Sequence, residues 1–280
     1  MFVYMDGGRS LPRSLARLVA AWELDPPGRL LGITDIAGLA DVSPEHARVL
    51  AQRLVERGWL ARVRRGRFEF VPGAMGYPSG SEWSLLDGVR VPMVISGLTA
   101  ARHRGLSPQL ATRHIAVVPL GAAVPRPLAR STRFRVARLV PWRVFGSEVV
   151  ERDGVDVPMA LLERLLLDAI EHVDWFGGIG EAARVLARGL PRADRTTLLD
   201  DAERWRSAAL CQRLGWWGDR VFPDGWEKTE RRRLERICGS KPVRLLRRRD
   251  AVVAPGRTDR RWRVIVDVPD DVLEMETGAR

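Results

Sequence analysis

Arg48 and Gln52 are four residues apart in a segment of helical periodicity, and both carry forked polar side chains. The Arg fork matches the O6 and N7 acceptors of guanine, and the Gln amide matches N6 and N7 of adenine. Glu45 and Val49 share the same helix face, because residues three and four apart are neighbours there. The spacing therefore predicts side chains that read base edges in the major groove of duplex DNA.

Two short helices across a tight turn are predicted to position these side chains. In the first helix, Thr34 and Asp35 suit the cap and the first turn. The turn at Asp41 then leads into the second helix, which carries Arg48 and Gln52. The inward positions of the first helix are Ile36, Ala37 and Ala40. A further helix is predicted before it from the spacing of Leu15, Leu18, Val19 and Trp22.

The second helix has a clear start signal at Ser43-Pro44-Glu45. The Ser43 hydroxyl is suited to accept a first-turn amide, Pro44 occupies a position that needs no donor, and Glu45 faces the positive helix end. Its predicted buried positions are Ala47, Leu50, Ala51 and Leu54.

An arginine-rich hairpin is predicted directly after this helix. Gly66 permits the turn in Arg64-Arg65-Gly66-Arg67. No acidic residue interrupts the run of arginines in the sequence, so the hairpin is suited to contact phosphates. The strands are indicated by Trp59, Leu60 and Val63 and by Phe68, Phe70 and Val71, and the arginines are Arg57, Arg62, Arg64, Arg65 and Arg67.

Helix, turn, helix and basic hairpin together predict a winged helix-turn-helix DNA-binding domain at residues 1–75. A linker is predicted within residues 72–81, which are rich in Pro, Gly and Ser. The expected fold class is α+β, with a larger mixed α/β domain at residues 82–280. The candidate DNA-binding residues are Ser43, Glu45, His46, Arg48, Val49, Gln52, Arg53, Arg62, Arg64, Arg65 and Arg67.

Charge supports a polyanionic partner: the 280-residue chain has a formal net charge of +11 and a pI near 11. Residues 228–263 contain fourteen Lys or Arg against four acids. This run is either a solvated face or a second contact with nucleic acid or an acidic protein. The candidate second basic patch consists of Arg231, Arg232, Arg233, Arg247, Arg248 and Arg249.

Only Cys211 and Cys238 are present, which is too few for a disulfide framework and suits a reducing compartment. No apolar run approaches the length that spans a bilayer, and no secretory leader is recognised. We therefore expect a cytoplasmic protein that does not contact a membrane.

The second domain is predicted to mix strands and helices. Its predicted strands are residues 89–95, 114–119, 134–139, 155–157 and 262–268, and its predicted helices are residues 96–104, 159–173, 181–188, 194–206 and 208–221.

The residues that are suited to catalysis do not combine into a site. The four histidines and two cysteines lack metal-ligand spacing. Asp153 and Asp156, after Gly146-Ser147, are three apart, whereas two carboxylates on one face of a strand would be two apart. Asp267 lacks the partners of a nuclease site, and residues 177–180 lack the lysine of a phosphate loop. We expect no enzyme activity, no metal and no cofactor.

Several short motifs after the predicted winged helix occur in an order typical of a known family. They are Ile95-Ser96-Gly97-Leu98-Thr99-Ala100 with His103 and Gly105-Leu106, then His114-Ile115-Ala116-Val117-Val118, Phe145-Gly146, and Glu163-Arg164-Leu165-Leu166-Leu167-Asp168. Gly177-Gly178 and Leu214-Gly215 also lie where that family tends to have them. Over most of its length the chain resembles the AbiE-type abortive-infection antitoxins, including their actinobacterial branch.

The resemblance implies a transcriptional autorepressor that binds inverted repeats in its own promoter. It also implies an antitoxin of the type IV class, which counteracts a co-encoded nucleotidyltransferase-type toxin without needing a stable complex with it. The alternative is a non-enzymatic interaction protein, whose winged helix and basic tail dock a partner.

Overall fold

The structure, a computed structural model, describes residues 5–6, 9–10, 30–56, 60–70, 82–246, 256–269 and 273. Helices and sheets are both present, which confirms a mixed α+β chain at that level. Some predicted features lie outside the described residues: the helix around Leu15 to Trp22, the linker at 72–81, Arg57, Trp59 and Val71, and Arg247, Arg248 and Arg249.

The chain divides into two compact units. The first, called here the N-terminal unit, comprises Met1–Arg90, Val124–Ser131 and Val150–Val157. The second, the C-terminal unit, comprises Val91–Ala123, Thr132–Val149 and Pro158–Arg280.

In the N-terminal unit, a pair of short helices is followed by a hairpin. The first helix starts where the Gly32 amide donates to the Asp35 carboxylate at 2.7 Å, and it ends at Asp41, whose φ is +54°. The elements are β1 Met5–Asp6, β2 Arg9–Ser10, β3 Leu31–Gly32, α1 Ile33–Ala40, α2 Pro44–Glu56, β4 Leu60–Arg64, β5 Arg67–Phe70 and a 3-10 helix Glu82–Leu86.

Helix α2 starts as its sequence predicts. The His46 amide donates to the Ser43 hydroxyl at 3.3 Å, and Pro44 is the first helical residue. Ala47, Ala51 and Leu54 are buried. They pack with Ile36, Ala37, Ala40, Leu31, Leu60 and Phe68 in one apolar core.

The hairpin belongs to a three-stranded antiparallel sheet of order β3-β5-β4. Its two-residue turn is Arg65-Gly66, and Gly66 has a φ of +72°, which glycine adopts without steric cost. Sequence reasoning missed β3, where Leu31 pairs with Phe68, because two residues carry no periodic signal.

A five-stranded sheet of order β8-β7-β6-β10-β9 follows along the chain. Strand β6 is antiparallel to β7, whereas the β7–β8 and β6–β10 pairs are parallel. Its elements are β6 Val94–Ser96, α3 Leu98–His103, β7 His114–Pro119, α4 Arg126–Ala129, β8 Phe134–Leu139, a 3-10 helix Pro141–Arg143, β9 Ser147–Arg152 and β10 Val155–Ala160.

The rest of the described chain lies in the C-terminal unit, is mainly helical and contains a three-stranded sheet of order β11-β13-β12. Its elements are α5 Leu162–Glu171, a 3-10 helix Val173–Phe176, α6 Ile179–Gly189, a 3-10 helix Leu190–Arg192, α7 Arg195–Trp205, α8 Ala208–Val221, α9 Lys228–Ile237, β11 Val243–Arg244, β12 Arg257–Asp259 and β13 Val264–Val266.

The predicted bounds of β7, β8 and α8 are confirmed, whereas the other strands and helices predicted for the second domain differ from the structure at one or both ends. Met159 lies in β10 rather than in a helix, because it pairs with Ile95 across the sheet. The last strand begins at Val264 rather than Trp262, whose amide closes a turn on Asp259 at 2.8 Å.

No helix in the described part of the chain is long and apolar enough to cross a membrane.

Candidate nucleic-acid interface and a buried arginine network

Helix α2 exposes the side chains that sequence reasoning assigned to base reading. Its buried face packs on α1, so the opposite face is left to solvent, and Val49 there is 49% exposed. The candidate residues exposed on α2 are Glu45, His46, Arg48, Val49, Gln52 and Arg53.

The polar contacts on this face are weak. Arg48 and Glu45 approach to 4.0 Å with side chains 66% and 78% exposed, and the Gln52 amide donates to Glu56 at 3.1 Å. The pKa of Glu45 is lowered by a backbone hydrogen bond, then by the Ser43 hydroxyl and the charge of Arg48. Exposed contacts of this kind contribute little to stability. Arg48 and Gln52 can therefore replace them with contacts to a ligand at a small cost in free energy.

A groove joins α2 to the hairpin. It has a volume of about 330 Å³, and Gln52 on the helix and Arg62 on β4 both line it. Phe68 lies at its base, with the Arg62 guanidinium 5.6 Å from the ring centroid. Val55 and Glu56 complete the lining. The last exposed turn of α2 and the basic hairpin therefore form one surface.

The four described hairpin arginines differ in their surroundings. Arg62 and Arg65 are exposed. Arg64 lies 3.7 Å from Asp87, and Arg67 lies 3.9 Å from Asp35. The fold thus brings two acids to a run of arginines that has none in the sequence, and the freest positive charge is at Arg62 and Arg65.

Glu69 is a carboxyl that sequence reasoning missed. It lies on β5 between Phe68 and Phe70, opposite Ala61 of β4. Desolvation by burial raises its pKa to about 7, from an ordinary value of 4.5. Because side chains alternate along a strand, Glu69 and Phe68 lie on opposite faces of β5. Nothing in the sequence indicates what buries Glu69.

Two arginines of the candidate second basic patch, Arg231 and Arg233, are engaged by the chain's own groups. Arg233 donates to Asp200 and Glu203, each at 2.6 Å, and these carboxylates raise its pKa. Arg231 donates to the Trp226 carbonyl at 2.9 Å and lies 3.9 Å from Asp219. In this triplet Arg232 is the exposed side chain.

A second kind of arginine site lies inside the C-terminal unit. Arg164 and Asp168 on α5 are both 0% exposed and pair at 3.0 and 3.1 Å, through Nε and Nη2 of the guanidinium. The remaining nitrogen, Nη1, donates to the carbonyls of Phe145 and Arg143. The partner of Asp168 is therefore Arg164, one turn away on the same helix.

This buried pair brings together motifs that are far apart in the sequence. The Ser96 hydroxyl donates to Asp168 at 2.6 Å, and the Arg164 guanidinium lies over the rings of Phe145 and Trp205 at 5.2 and 4.7 Å. Gly146 has a φ of +70°, and an added Cβ would lie 2.8 Å from that of Arg164. Glycine is needed here because the backbone passes directly over the arginine stem.

Two further carboxylates are held in the same way. Glu171 accepts from the Arg213 guanidinium at 2.9 Å, with both side chains almost fully buried. Asp267 is 1% exposed and accepts from Arg244 at 3.1 Å and from the Leu246 amide at 3.3 Å. Asp267 therefore holds a strand end in place.

The residues considered for catalysis lie apart from one another. His46 is exposed on α2, the His114 ring contacts the Thr99 hydroxyl at 2.8 Å, and His172 stacks on Trp175 at 3.9 Å between centroids. Asp153 forms the turn between β9 and β10, with a φ of +51°. Within the described ranges, no group of three His, Cys, Asp or Glu side chains is placed to hold a metal ion.

Comparison with known proteins shows the fold. No protein-family model matches the chain, and no curated protein matches it. Its structure is similar to the crystal structure of the RV2827C protein from Mycobacterium tuberculosis, with a TM-score of 0.69 and 18% sequence identity, over 95% of this chain and 96% of that chain. The two proteins thus share a fold along almost their whole lengths.

Proposed function

We propose that the N-terminal unit is a winged helix-turn-helix that binds duplex DNA, with α2 in the major groove and the β4–β5 hairpin on the phosphates. The observation that carries this proposal is the continuous surface on which Gln52 of α2 and Arg62 of the hairpin line one groove. A reading helix and a basic wing need this adjacency to contact bases and backbone together.

The side chains on that surface have the chemistry for both tasks. Arg48 and Gln52 present forked donors and acceptors for guanine and adenine, and exposed Val49 is suited to a thymine methyl group. Arg62 and Arg65 supply charge for phosphates without an acid pair at their side chains in the described structure.

We further propose that the protein represses its own promoter at inverted repeats and acts as a type IV antitoxin against a co-encoded nucleotidyltransferase-type toxin. This part rests on the family resemblance, whose motifs contribute Ser96, Gly146, Arg164 and Asp168 to one buried network. The alternative role in partner docking has less support, because Arg231 and Arg233 of the basic tail are held by the chain's own groups.

DNA reading is tested by gel-shift titration of the duplex upstream of the gene, against a scrambled duplex. The double variant Arg48→Ala/Gln52→Ala should lose discrimination by about 1–3 kcal/mol for each bidentate contact, and keep its non-specific affinity. Arg90→Ala is the matched control, since Arg90 is exposed in the same unit but outside α2 and the hairpin. An unchanged ratio of the two affinities would contradict the assignment.

The antitoxin role is tested by genomic context and co-expression. A nucleotidyltransferase gene should lie beside this one, and its induced expression should arrest growth unless this protein is also produced. Growth arrest that persists when both proteins are present would contradict the role.

A further inference from the structure

A cleft in the C-terminal unit lies between the end of α8 and the β12–β13 hairpin. Its volume is about 460 Å³. Buried Trp216 and Val266 form its apolar floor, and three arginines, Arg220, Arg257 and Arg260, stand around it. Thr258 and Asp259 complete the lining. The volume is in the range of small-molecule sites, which bury an apolar body and orient it with a few polar groups.

The hairpin is fixed against α8 by its own tryptophan. The Trp262 ring lies on Gly215, where an added Cβ would come within 2.3 Å of the indole. The Trp262 ring N–H donates to Asp219 at 2.7 Å, and Arg261 donates to the same oxygen at 3.2 Å. These contacts hold the hairpin against α8. The three arginines of the cleft take no part in them.

The cleft has an excess of positive charge. Asp259 is its acid, and one of its oxygens already accepts the Trp262 amide at 2.8 Å. Across the described ranges, Arg220 and Arg260 have no acidic partner. Arg220 is held over the Trp216 ring at 5.6 Å, and its enclosed Nε has no hydrogen-bond acceptor among the described residues. An anion in the cleft would compensate these charges in a partly desolvated setting.

We propose that this cleft binds a small organic molecule that carries a phosphate group. The guanidinium groups of Arg220 and Arg260 would contact the phosphate, because their planar forks match its oxygens. Trp216 and Val266 would lie under the organic part, which explains why the cleft is larger than a phosphate ion needs. This inference concerns the C-terminal unit alone and does not depend on DNA binding.

The test is calorimetric titration of the full-length protein with adenosine 5′-monophosphate and, separately, with adenosine. We expect saturable binding of the monophosphate with a Kd below about 1 mM at low salt, and none for adenosine. Arg260→Gln and Arg220→Gln should each weaken binding about tenfold or more. Arg90→Gln, an exposed arginine of the other unit, should leave the Kd unchanged.

Three results would overturn the proposal. The first is no saturable binding up to about 10 mM, and the second is equal binding of monophosphate and adenosine. The third is an Arg260→Gln variant that lowers the salt dependence of duplex binding while the monophosphate does not bind, which would assign the cleft to a DNA backbone contact. Because Arg260 is exposed, its variant keeps the test valid even if Arg220→Gln lowers the Tm.

Discussion

Arg48 in the N-terminal unit and Arg164 in the C-terminal unit both lie on a helix about one turn from an acid, yet their surroundings are opposite. Arg48 is 66% exposed and meets Glu45 at 4.0 Å, whereas Arg164 is fully buried and forms two close bonds to Asp168. Removing one partner of a buried ion pair leaves a buried charge uncompensated and strongly destabilises the fold. The groups of an exposed pair, by contrast, exchange readily with other ligands. Burial, rather than residue type, therefore separates arginines that hold the fold from arginines that can meet a partner.

The largest effect is expected from removing the acid of the buried pair. Asp168→Ala leaves the Arg164 guanidinium and the Ser96 hydroxyl without their acceptor, and should lower the free energy of unfolding by about 3–5 kcal/mol. Urea denaturation of the full chain measures this loss. Glu45→Ala, which removes the exposed partner of Arg48, is the matched control and should shift the urea midpoint far less than Asp168→Ala does.

The double variant Arg164→Met/Asp168→Leu sharpens this prediction. It should recover part of the lost stability, because no charge is then buried without a partner. The recovery stays incomplete, since the carbonyls of Arg143 and Phe145 lose their donor. If Asp168→Ala unfolded at the same urea concentration as the original protein, the contrast between the two arginines would be lost.

Glycines provide a second contrast between the units. Gly215→Ala on α8 would place a Cβ 2.3 Å from the Trp262 ring, and should cost about 1–3 kcal/mol by overpacking. Gly38 on α1 has nothing within 4 Å of its ideal Cβ, so Gly38→Ala should gain about 0.5–1 kcal/mol from helix propensity. The two shifts in thermal unfolding should have opposite signs, and equal signs would refute the packing of Trp262 on α8.

Sequence reasoning succeeded where local chemistry decides the structure. The start of α2 follows from Ser43 and Pro44, its buried face follows from the spacing of Ala47, Ala51 and Leu54, and Gly66 places the hairpin turn. Each of these signals lies within a few residues of the feature it predicts, so no tertiary contact is needed to interpret it.

The missed features depend on residues that are distant in the sequence. Asp87 lies more than twenty residues after Arg64, and Ser96 is 72 residues before Asp168. Strand β3 exists because Leu31 pairs with Phe68. The cleft between α8 and the β12–β13 hairpin depends on the packing of Trp262 on Gly215, which holds the hairpin against α8. The i,i+4 spacing of Arg164 and Asp168 within a leucine-rich helix was the one local signal available for the buried network.

The hairpin arginines extend the comparison to binding. Arg62→Ala and Arg65→Ala should each lower the slope of log affinity against log salt by about one, because each removes one phosphate contact. Arg64→Ala and Arg67→Ala should have smaller effects, since Asp87 and Asp35 already offset those charges. Fluorescence anisotropy of a labelled duplex over a salt series measures the slopes. Equal slopes for all four variants would mean that both acid pairs open on DNA.

The smallest effect concerns the buried carboxyl groups of the two units. Asp168, Glu171 and Asp267 each pair with an arginine, whereas burial raises the pKa of Glu69 to about 7, above its ordinary 4.5. Between these pH values the folded state binds more protons than the unfolded state. The stability of the N-terminal unit is therefore greatest below the ordinary pKa of Glu69, and is lost as the pH rises towards 7.

Glu69→Gln should remove this dependence. The variant should exceed the original protein in Tm at about pH 8 and match it near about pH 4, because the original carboxyl is then protonated. The difference should stay below about 4 °C, since solvent screens a partly exposed group. Glu45→Gln is the control of opposite sign, because the pKa of exposed Glu45 is lowered and its charge is favoured in the fold. If the difference in Tm between Glu69→Gln and the original protein were the same at both pH values, Glu69 would keep its charge in the folded state. The N-terminal unit, like the C-terminal one, would then supply a cation to its buried acid.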